Sequence, residues 1–525
     1  MDLSQFFGDR CRLTALAVRD DRRRTDMGKW WPLTAVCLGT FMLLVDVNIV
    51  TVALPDIAMG MKASFSSLQW VMDVYALVLA ALLMGAGALA DLVGRRKVYV
   101  SGLALFALSS LVCGLAPDAV VLVGARAVQG AGAAMMFATT VALVNASYEG
   151  RDRGVAFGVW GAVNGAAAGV GPLLGGLVTQ EFGWRWIFLV NLPVSVLAVG
   201  LTLRVVRESR DPAAQRIDLP GVALFVLAAG AVTYALTRAG ENGWTSATTL
   251  GMFTIGTAAL IAFVVVEIRA RHSLLDLRLF RNPTFAGIMI ASLVMSGAAF
   301  AYLLYTSLWL QSVQGLSAIG AGLVILPMSG LSFVTSWLTG RFLHRVSPRW
   351  TVGAGMLLIG IGTLSQAVLT TRSGWTAVIP GFAITGIGVG LALPNVTAAA
   401  MGSVPPERSG MAAGAVSAFR QLGYALGIAV LGSVFRATLQ HSLEGEVPDP
   451  AAMTEALTGG QAAQAISQVS DATVVPAAYA AGLNAATMTA AAIALAAAVA
   501  TIALVRRPAP APSPAAPEPA TASAP

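Results

Sequence analysis

Apolar residues along this chain do not alternate with polar ones. They gather into runs of about 20, separated by short stretches rich in Arg, Lys, Gly and Pro. A bilayer core about 30 Å thick needs about 20 apolar residues per crossing helix, and counting runs of that length predicts about fourteen spans. They fall near 32–54, 68–90, 97–116, 119–146, 154–178, 186–205, 219–238, 247–268, 284–310, 318–340, 351–371, 376–401, 409–435 and 477–505.

The connections carry a second pattern. An even span count with both ends in the cytoplasm requires cations in alternate loops. Arg95, Arg96 and Lys97, then Arg151 and Arg153, then Arg204, Arg207, Arg210 and Arg216, then Arg269, Arg271, Arg278 and Arg281 fall on one side. Arg341, Arg345 and Arg349, then Arg408, then Arg506 and Arg507 continue that side. The connections near Pro117 and Ser312–Ser317, and the acidic segment with Glu444, Glu446, Asp449, Glu455 and Asp471, fall on the other.

This register divides the chain into a basic cytoplasmic segment (1–31), six spans (32–205) and a linker with two inserted spans (206–283). Six further spans follow (284–505), interrupted by an external loop at 437–475, and then a Pro/Ala tail at 506–525. Gly340, His344 and Arg349 repeat the spacing of Gly87, Asp91 and Arg96, a degraded second copy of the kind found where two transporter halves enclose a substrate site.

Composition narrows the class. Of 525 residues, 56% are hydrophobic and 11% charged, and mean hydropathy is +0.75, which fits a polytopic membrane protein rather than a soluble fold. The net charge of +7 is spread in short clusters between apolar runs, where it orients helices, so nucleic acid is not the expected partner. Cys11, Cys37 and Cys113 are far apart and lack companion histidines, so no disulfide framework or metal site is expected. The first residues lack the apolar core of a cleavable signal, and Arg22, Arg23, Arg24 and Lys29 would hold that end inside.

Ionisable groups inside spans are costly, so each is a functional candidate. Asp46 in span one and Arg126 in span four both lie about 12 Å below the outer surface, and Asp73 in span two about 8 Å below it, at 1.5 Å per residue. A desolvated carboxylate beside a movable Arg can carry a proton, which makes Asp46 the candidate carrier and Arg126 its modulator. A static ion pair that only fixes helix register is the alternative. Asp73, flanked by Trp70 and Tyr75, could attract a cationic substrate, or could cap the end of span two with both aromatics as interface anchors. Phe300, Tyr302 and Tyr305, with Phe333 of span ten, could line a hydrophobic cavity. Trp309 and Trp337 could join that lining, but they stand at span ends, where aromatics usually face headgroups, and lipid is the favoured surrounding for both.

Arg420 in span thirteen could meet an anionic group or a carbonyl, or simply pack. Gly161, Gly165 and Gly169, then Gly171-Pro172 and Gly175-Gly176, give span five a face of small residues and a bend, features that allow close approach and gating.

Several of these stretches resemble one family. Gly87-x-Leu89-x-Asp91-x-x-Gly94-Arg95-Arg96-Lys97 is similar to the loop between spans two and three of the major facilitator superfamily. Asp46-x-Asn48-Ile49-Val50-Thr51-Val52-Ala53-Leu54-Pro55 resembles the span-one motif of its drug:proton antiporters with fourteen spans, with Asn48 and Thr51 in place of Thr and Asn. Arg126-Ala127-Val128-Gln129-Gly130 resembles the span-four motif, whose Arg is assigned to proton transfer. Gly165 through Gly176 resembles the antiporter motif, with Ala167 in place of its first Gly.

The resemblance implies an all-helical fold of two six-helix bundles plus two inserted helices. It implies a proton-coupled exporter of hydrophobic, cationic or amphipathic drugs in a prokaryotic cell membrane, with both termini cytoplasmic. Asp46 and Arg126 would couple protons; Asp73, Trp70, Tyr75, Asn48, Phe300, Tyr305 and Arg420 would meet substrate. Gly87, Asp91, Gly94, Arg95, Arg96, Gly165, Gly169, Gly171, Pro172, Gly175 and Gly176 would govern conformation, with Glu149 or Asp152 as partner for Arg95. No cofactor beyond the proton gradient is expected, and the partners are lipid, a small molecule and protons around a monomer. A dedicated exporter of one natural product, metabolite or lipid is the nearest rival. A channel lacks a repeated filter, and an enzyme lacks a cluster of nucleophile, base or metal ligands.

Overall fold

A computed structural model describes residues 28–61, 63–210, 218–270, 275–342, 346–404, 409–458, 471 and 473–506. Cys11, Arg22–Arg24, Arg216, Arg271, His344, Arg345, Arg408 and Arg507 lie outside these residues, as do most of the basic amino-terminal segment, part of the 437–475 segment and nearly all of the Pro/Ala tail.

The described chain is helical throughout. The long helices are α1 (Trp31–Met61), α2 (Phe65–Val93), α3 (Arg95–Leu115), α4 (Ala119–Ser147), α5 (Gly150–Phe182), α6 (Asn191–Val205) and α7 (Leu219–Asn242). They continue as α8 (Ala247–Arg269), α9 (Pro283–Phe300), α10 (Ala318–Phe342), α11 (Pro348–Ser365), α12 (Ile379–Gly402), α13 (Ser409–Leu443) and α14 (Val474–Leu504). Twelve helical stretches among the described residues are long and apolar enough to cross a membrane. The expected spans near 154–178 and 351–371 are helices α5 and α11 but are not among the twelve, so the count of fourteen is not confirmed.

Helix ends are built where water can solvate them. Asp118 Oδ1 accepts the Val121 amide at 2.8 Å and starts α4; Asp218 does the same for α7, with Pro220 in its first turn. Asn282 caps α9 ahead of Pro283. Inside the helices, hydroxyls are satisfied locally: Thr40, Thr140 and Thr363 each donate to the carbonyl four residues back. The backbone is thus self-sufficient in lipid.

In the first half, α1 packs on α5 and α6, and α4 on α2 and α3. In the second, α12 packs on α10 and α11, and α13 and α14 on α9. The halves meet along two seams, α5 against α10 and α2 against α13. Helix α7 lies against both α2 and α13, and α8 packs on α7, so the inserted pair borders the second seam. The run expected to be one helix at 284–310 is broken after Phe300; it resumes at Leu303–Leu308 and ends in a π-helical turn, Trp309–Val313. That turn draws Trp309 inward: it is 2% exposed, against the expectation that it faces lipid, whereas Trp337 is 58% exposed.

Candidate functional site

Five helices converge on Asp46. Its Oδ2 meets Arg126 Nη1 at 2.6 Å, and both side chains are excluded from solvent. Oδ1 accepts Gln129 Nε2 at 3.0 Å and Asn191 Nδ2 at 2.8 Å. Arg126 donates from Nε to the Val71 carbonyl at 3.1 Å and from Nη1 to Gln129 Oε1 at 2.7 Å. Its guanidinium lies 4.1 Å from the centre of the Tyr75 ring. Gln129 Nε2 also donates to Ser110 Oγ at 2.8 Å.

This arrangement explains how opposite charges persist in an apolar bundle. A buried pair is tolerated when its remaining hydrogen-bonding positions are filled, and here Gln129, Asn191 and a backbone carbonyl fill them. Gln129 stands three residues after Arg126, on the same helix face. Asn191 begins α6 after the short helix Trp186–Leu189, which brings it under the cluster. Reading ionisable residues alone finds Asp46 and Arg126 but misses Gln129, Asn191 and Ser110.

Tyr75, expected near substrate, is instead a lid on Arg126 and is 1% exposed. Asp73, two residues earlier, is 0% exposed, and neither of its oxygens has a hydrogen-bond partner among the described residues. It does not cap the end of α2; Ser64 does, through the Ser67 amide. One turn before Asp73, Gln69 Nε2 reaches across the seam to Tyr305 Oη and the Ile428 carbonyl, each at 3.3 Å. Trp70 is half-buried beside Tyr234 of α7 and, with Ser67, Ala119, Val120 and Val123, lines a cavity of about 170 Å³.

The aromatics of the second half do not form one open wall. Tyr305 is buried against Phe435 at 5.2 Å, and Tyr302 against Phe382 at 6.2 Å. Phe300 is half-buried against the main apolar core. Phe333 is 38% exposed. Half-buried residues include Phe41, Leu44 and Asn48 on α1 and, among others such as Phe419, Gln421 and Leu422, Ala413, Ser417, Arg420 and Tyr424 on α13, and the spacing of each of the two named sets places it as a stripe on one helix face. None of the residues from Met411 through Arg436 is exposed, so the α13 stripe faces the interior. Tyr424 of the α13 stripe lies within electrostatic reach of Asp73 on α2.

On the face away from the 94–97 turn, the seams are shut. Gln311 Nε2 donates to the Val52 carbonyl at 2.9 Å. Helix α5 wedges between α1 and α10: a Cβ at Gly175 would stand 2.8 Å from the Ile49 carbonyl oxygen, and one at Gly176 2.5 Å from that of Ala318. Gly171 abuts Asn48, and the Pro172 carbonyl abuts Gly322. Gly165 and Gly169 lie in the same helix.

At the other, basic face, Gly94 takes φ +127°, ending α2 and starting α3 in one residue. Gly87 approaches Ala138 of α4. Asp91 Oδ1 accepts Arg95 Nε at 2.9 Å and Nη2 at 2.8 Å. Neither Glu149 nor Asp152 takes the expected place beside Arg95; Asp152 pairs with Lys29 at 3.6 Å. The residue the sequence did not single out is Glu208, just past α6. Its carboxylate accepts the amides of Arg96 (3.0 Å) and Lys97 (3.2 Å), where the exposed amides and dipole of a helix start favour negative charge.

Comparison with known proteins follows the same lines. Residues 36–428 match the profile of the Major Facilitator Superfamily. The multidrug resistance protein Stp of Mycobacterium tuberculosis is 41% identical over 423 residues, 80% of this chain and 79% of that protein. The drug efflux pump JefA of the same organism is 34% identical, over 80% of this chain and 83% of its own. The methylenomycin A resistance protein of Streptomyces coelicolor is 32% identical, over 79% and 87%. Among solved structures, an inward-facing, unoccupied bacterial homolog of the human lysosomal transporter Spinster superposes with a TM-score of 0.65 at 17% identity, covering 92% of this chain and 99% of that one.

Proposed function

The chain belongs to the Major Facilitator Superfamily, and we propose that within it the protein exports hydrophobic, cationic or amphipathic drugs in exchange for protons. The observation that carries this reading is the dry, fully bonded Asp46–Arg126 pair set on five helices of one half. A proton arriving at Asp46 would cancel its charge and release Arg126 to the Val71 carbonyl, Gln129 and the Tyr75 ring, which already hold it from the other side. Removing the ionic link between α1 and α4 changes which packing of the half is favoured, and that is how one ion can bias a rocking equilibrium.

Substrate enters, in this reading, from the basic side, which is the cytoplasm, along the α1 and α13 stripes. Asp73 meets its cation there, since a buried charge without a counter-ion costs several kcal/mol. The shut seams on the opposite face correspond to an inward-facing state. Helices α5 and α11 cross the membrane with the other twelve, both termini are cytoplasmic, and a monomer in a prokaryotic cell membrane suffices. The names of the relatives, a multidrug resistance protein and a drug efflux pump among them, support export of drugs, and the methylenomycin A resistance protein, named for one antibiotic, keeps a narrower range as the rival.

The test is transport in inverted membrane vesicles, following dye fluorescence and pH together. Substrate-driven proton release that disappears in Asp46→Asn is the expected result. Transport that ignores the proton gradient would remove the coupling half of the reading.

A further inference from the structure

Among the described residues, Asp73 on α2 and Arg420 on α13 are charges within spans that are short of partners: neither Asp73 oxygen accepts a hydrogen bond, and the Arg420 Nε donates none. Arg420 lies eleven residues into α13, about 16 Å from its start at 1.5 Å per residue, farther than its side chain could snorkel to the basic face. Its Nε has no hydrogen-bond partner, and no ion pair reaches it among the described residues. A guanidinium offers five N–H donors, and a cation left unmatched at this depth is costly unless it faces a cavity or a guest. The α13 stripe puts Arg420 on the interior face one turn from Tyr424, which lies within electrostatic reach of Asp73.

The register of the α2–α13 seam fixes the separation of the two charges. Gln69 bonds Ile428 and abuts Gly432, and Ala76 and Leu77 pack on Ala425, so the antiparallel helices set Asp73 level with Ile428. Arg420 is eight residues from Ile428, about 12 Å along the axis. The two are too far apart to bond each other, yet they stand on the two facing helices of one seam.

We propose that Arg420 is an anion subsite on the interior face of α13 and that the protein exports amphoteric molecules, with an amine at Asp73 and a carboxylate about 12 Å away at Arg420. The inference rests on the drug-export reading above and narrows its substrate class. A purely cationic guest would leave Arg420 unmatched, whereas a zwitterion of suitable length neutralises both walls at once.

Matched pairs test this: ciprofloxacin against its methyl ester, and rhodamine B against its ethyl ester, bound to the full-length protein in lipid nanodiscs and transported in proteoliposomes. Wild type is expected to favour each acid over its ester. Arg420→Gln should weaken the acids about 10- to 100-fold, the usual range for a lost hydrogen bond to a charged group, and leave the esters within about twofold. Arg420→Lys, which keeps the charge, should recover part of the loss, and Asp73→Asn should weaken acids and esters alike.

Equal losses for acid and ester in folded Arg420→Gln would mean a structural arginine and overturn the proposal. So would wild type that takes only the esters, although the cationic-drug reading would then stand. Neither member of either pair being bound or moved would overturn the subsite and the drug-export reading together. Should Arg420→Gln fail to fold, the acid-to-ester preference of wild type and of Arg420→Lys decides.

Discussion

At the scale of single residues, the Asp46 cluster makes two separable demands, charge and shape. Asp46→Asn keeps the shape and most hydrogen bonds, so the protein should fold while substrate-driven proton flux in vesicles falls at least about tenfold. Arg126→Ala leaves a buried carboxylate unmatched, a change that costs about 3–5 kcal/mol. Its melting temperature in detergent should drop well below that of Asp46→Asn, and pairing Arg126→Gln with Asp46→Asn should restore much of that stability without restoring coupling. Charged members of this site were legible in the sequence because a charge inside an apolar run has few explanations. Gln129, Asn191 and Ser110 were not, since a neutral amide or hydroxyl can satisfy itself on its own helix, and only the fold shows which ones turn to a neighbour. The partner of Arg95 escaped for a related reason: several acids stand near in sequence, and the path of the 91–97 turn gives the place to Asp91 and hands Glu208 to the amides beyond it.

Helices themselves were the most legible feature, because a bilayer fixes both the length and the composition of what crosses it. Breaks inside a run were less so: nothing in the apolar stretch 284–310 marks the interruption after Phe300 or the π turn that buries Trp309, since both depend on how the second half packs. The small-residue face of α5 has a specific consequence. Gly176 lets α5 touch the backbone of α10, and Gly175 that of α1, so Gly176→Val should pry α5 from α10 while leaving the α1 contact in place. Transport is expected to fall at least about tenfold with little change in expression, because the lost contact is one between halves rather than within a half. Glu208→Gln acts at the other face. A carboxylate at a partly exposed helix start is worth about 0.3–1 kcal/mol, so stability should shift little, but a cysteine introduced by Ser417→Cys should change its alkylation rate from the basic side as the 94–97 turn loosens from the linker.

Taken as a whole, the molecule is two sets of helices touching along α5–α10 and α2–α13, with the Gln69–Ile428 bond across the second seam and the Gln311–Val52 bond between the 309–313 turn and α1 lying toward the face opposite the 94–97 turn. If export requires these seams to part, a covalent link across one of them must stop it. Leu173 and Gly322 suit the purpose: a Cβ built at Gly322 stands 3.4 Å from the Leu173 Cα, within the reach of a disulfide. In a background with Cys11, Cys37 and Cys113 replaced by Ser, the Leu173→Cys and Gly322→Cys pair should lose on oxidation the transport its reduced form retains and regain it with reductant, whereas Gly322→Cys alone, whose Cβ stands 2.7 Å from the Pro172 carbonyl oxygen, should transport less than its background and not respond to oxidation. The oxidised form should still bind substrate offered from the basic side, because the α1 and α13 stripes remain as they are. Loss of binding together with transport would mean instead that this seam shapes the cavity and does not only gate it, and undiminished transport in the cross-linked protein would show that the halves do not part there at all.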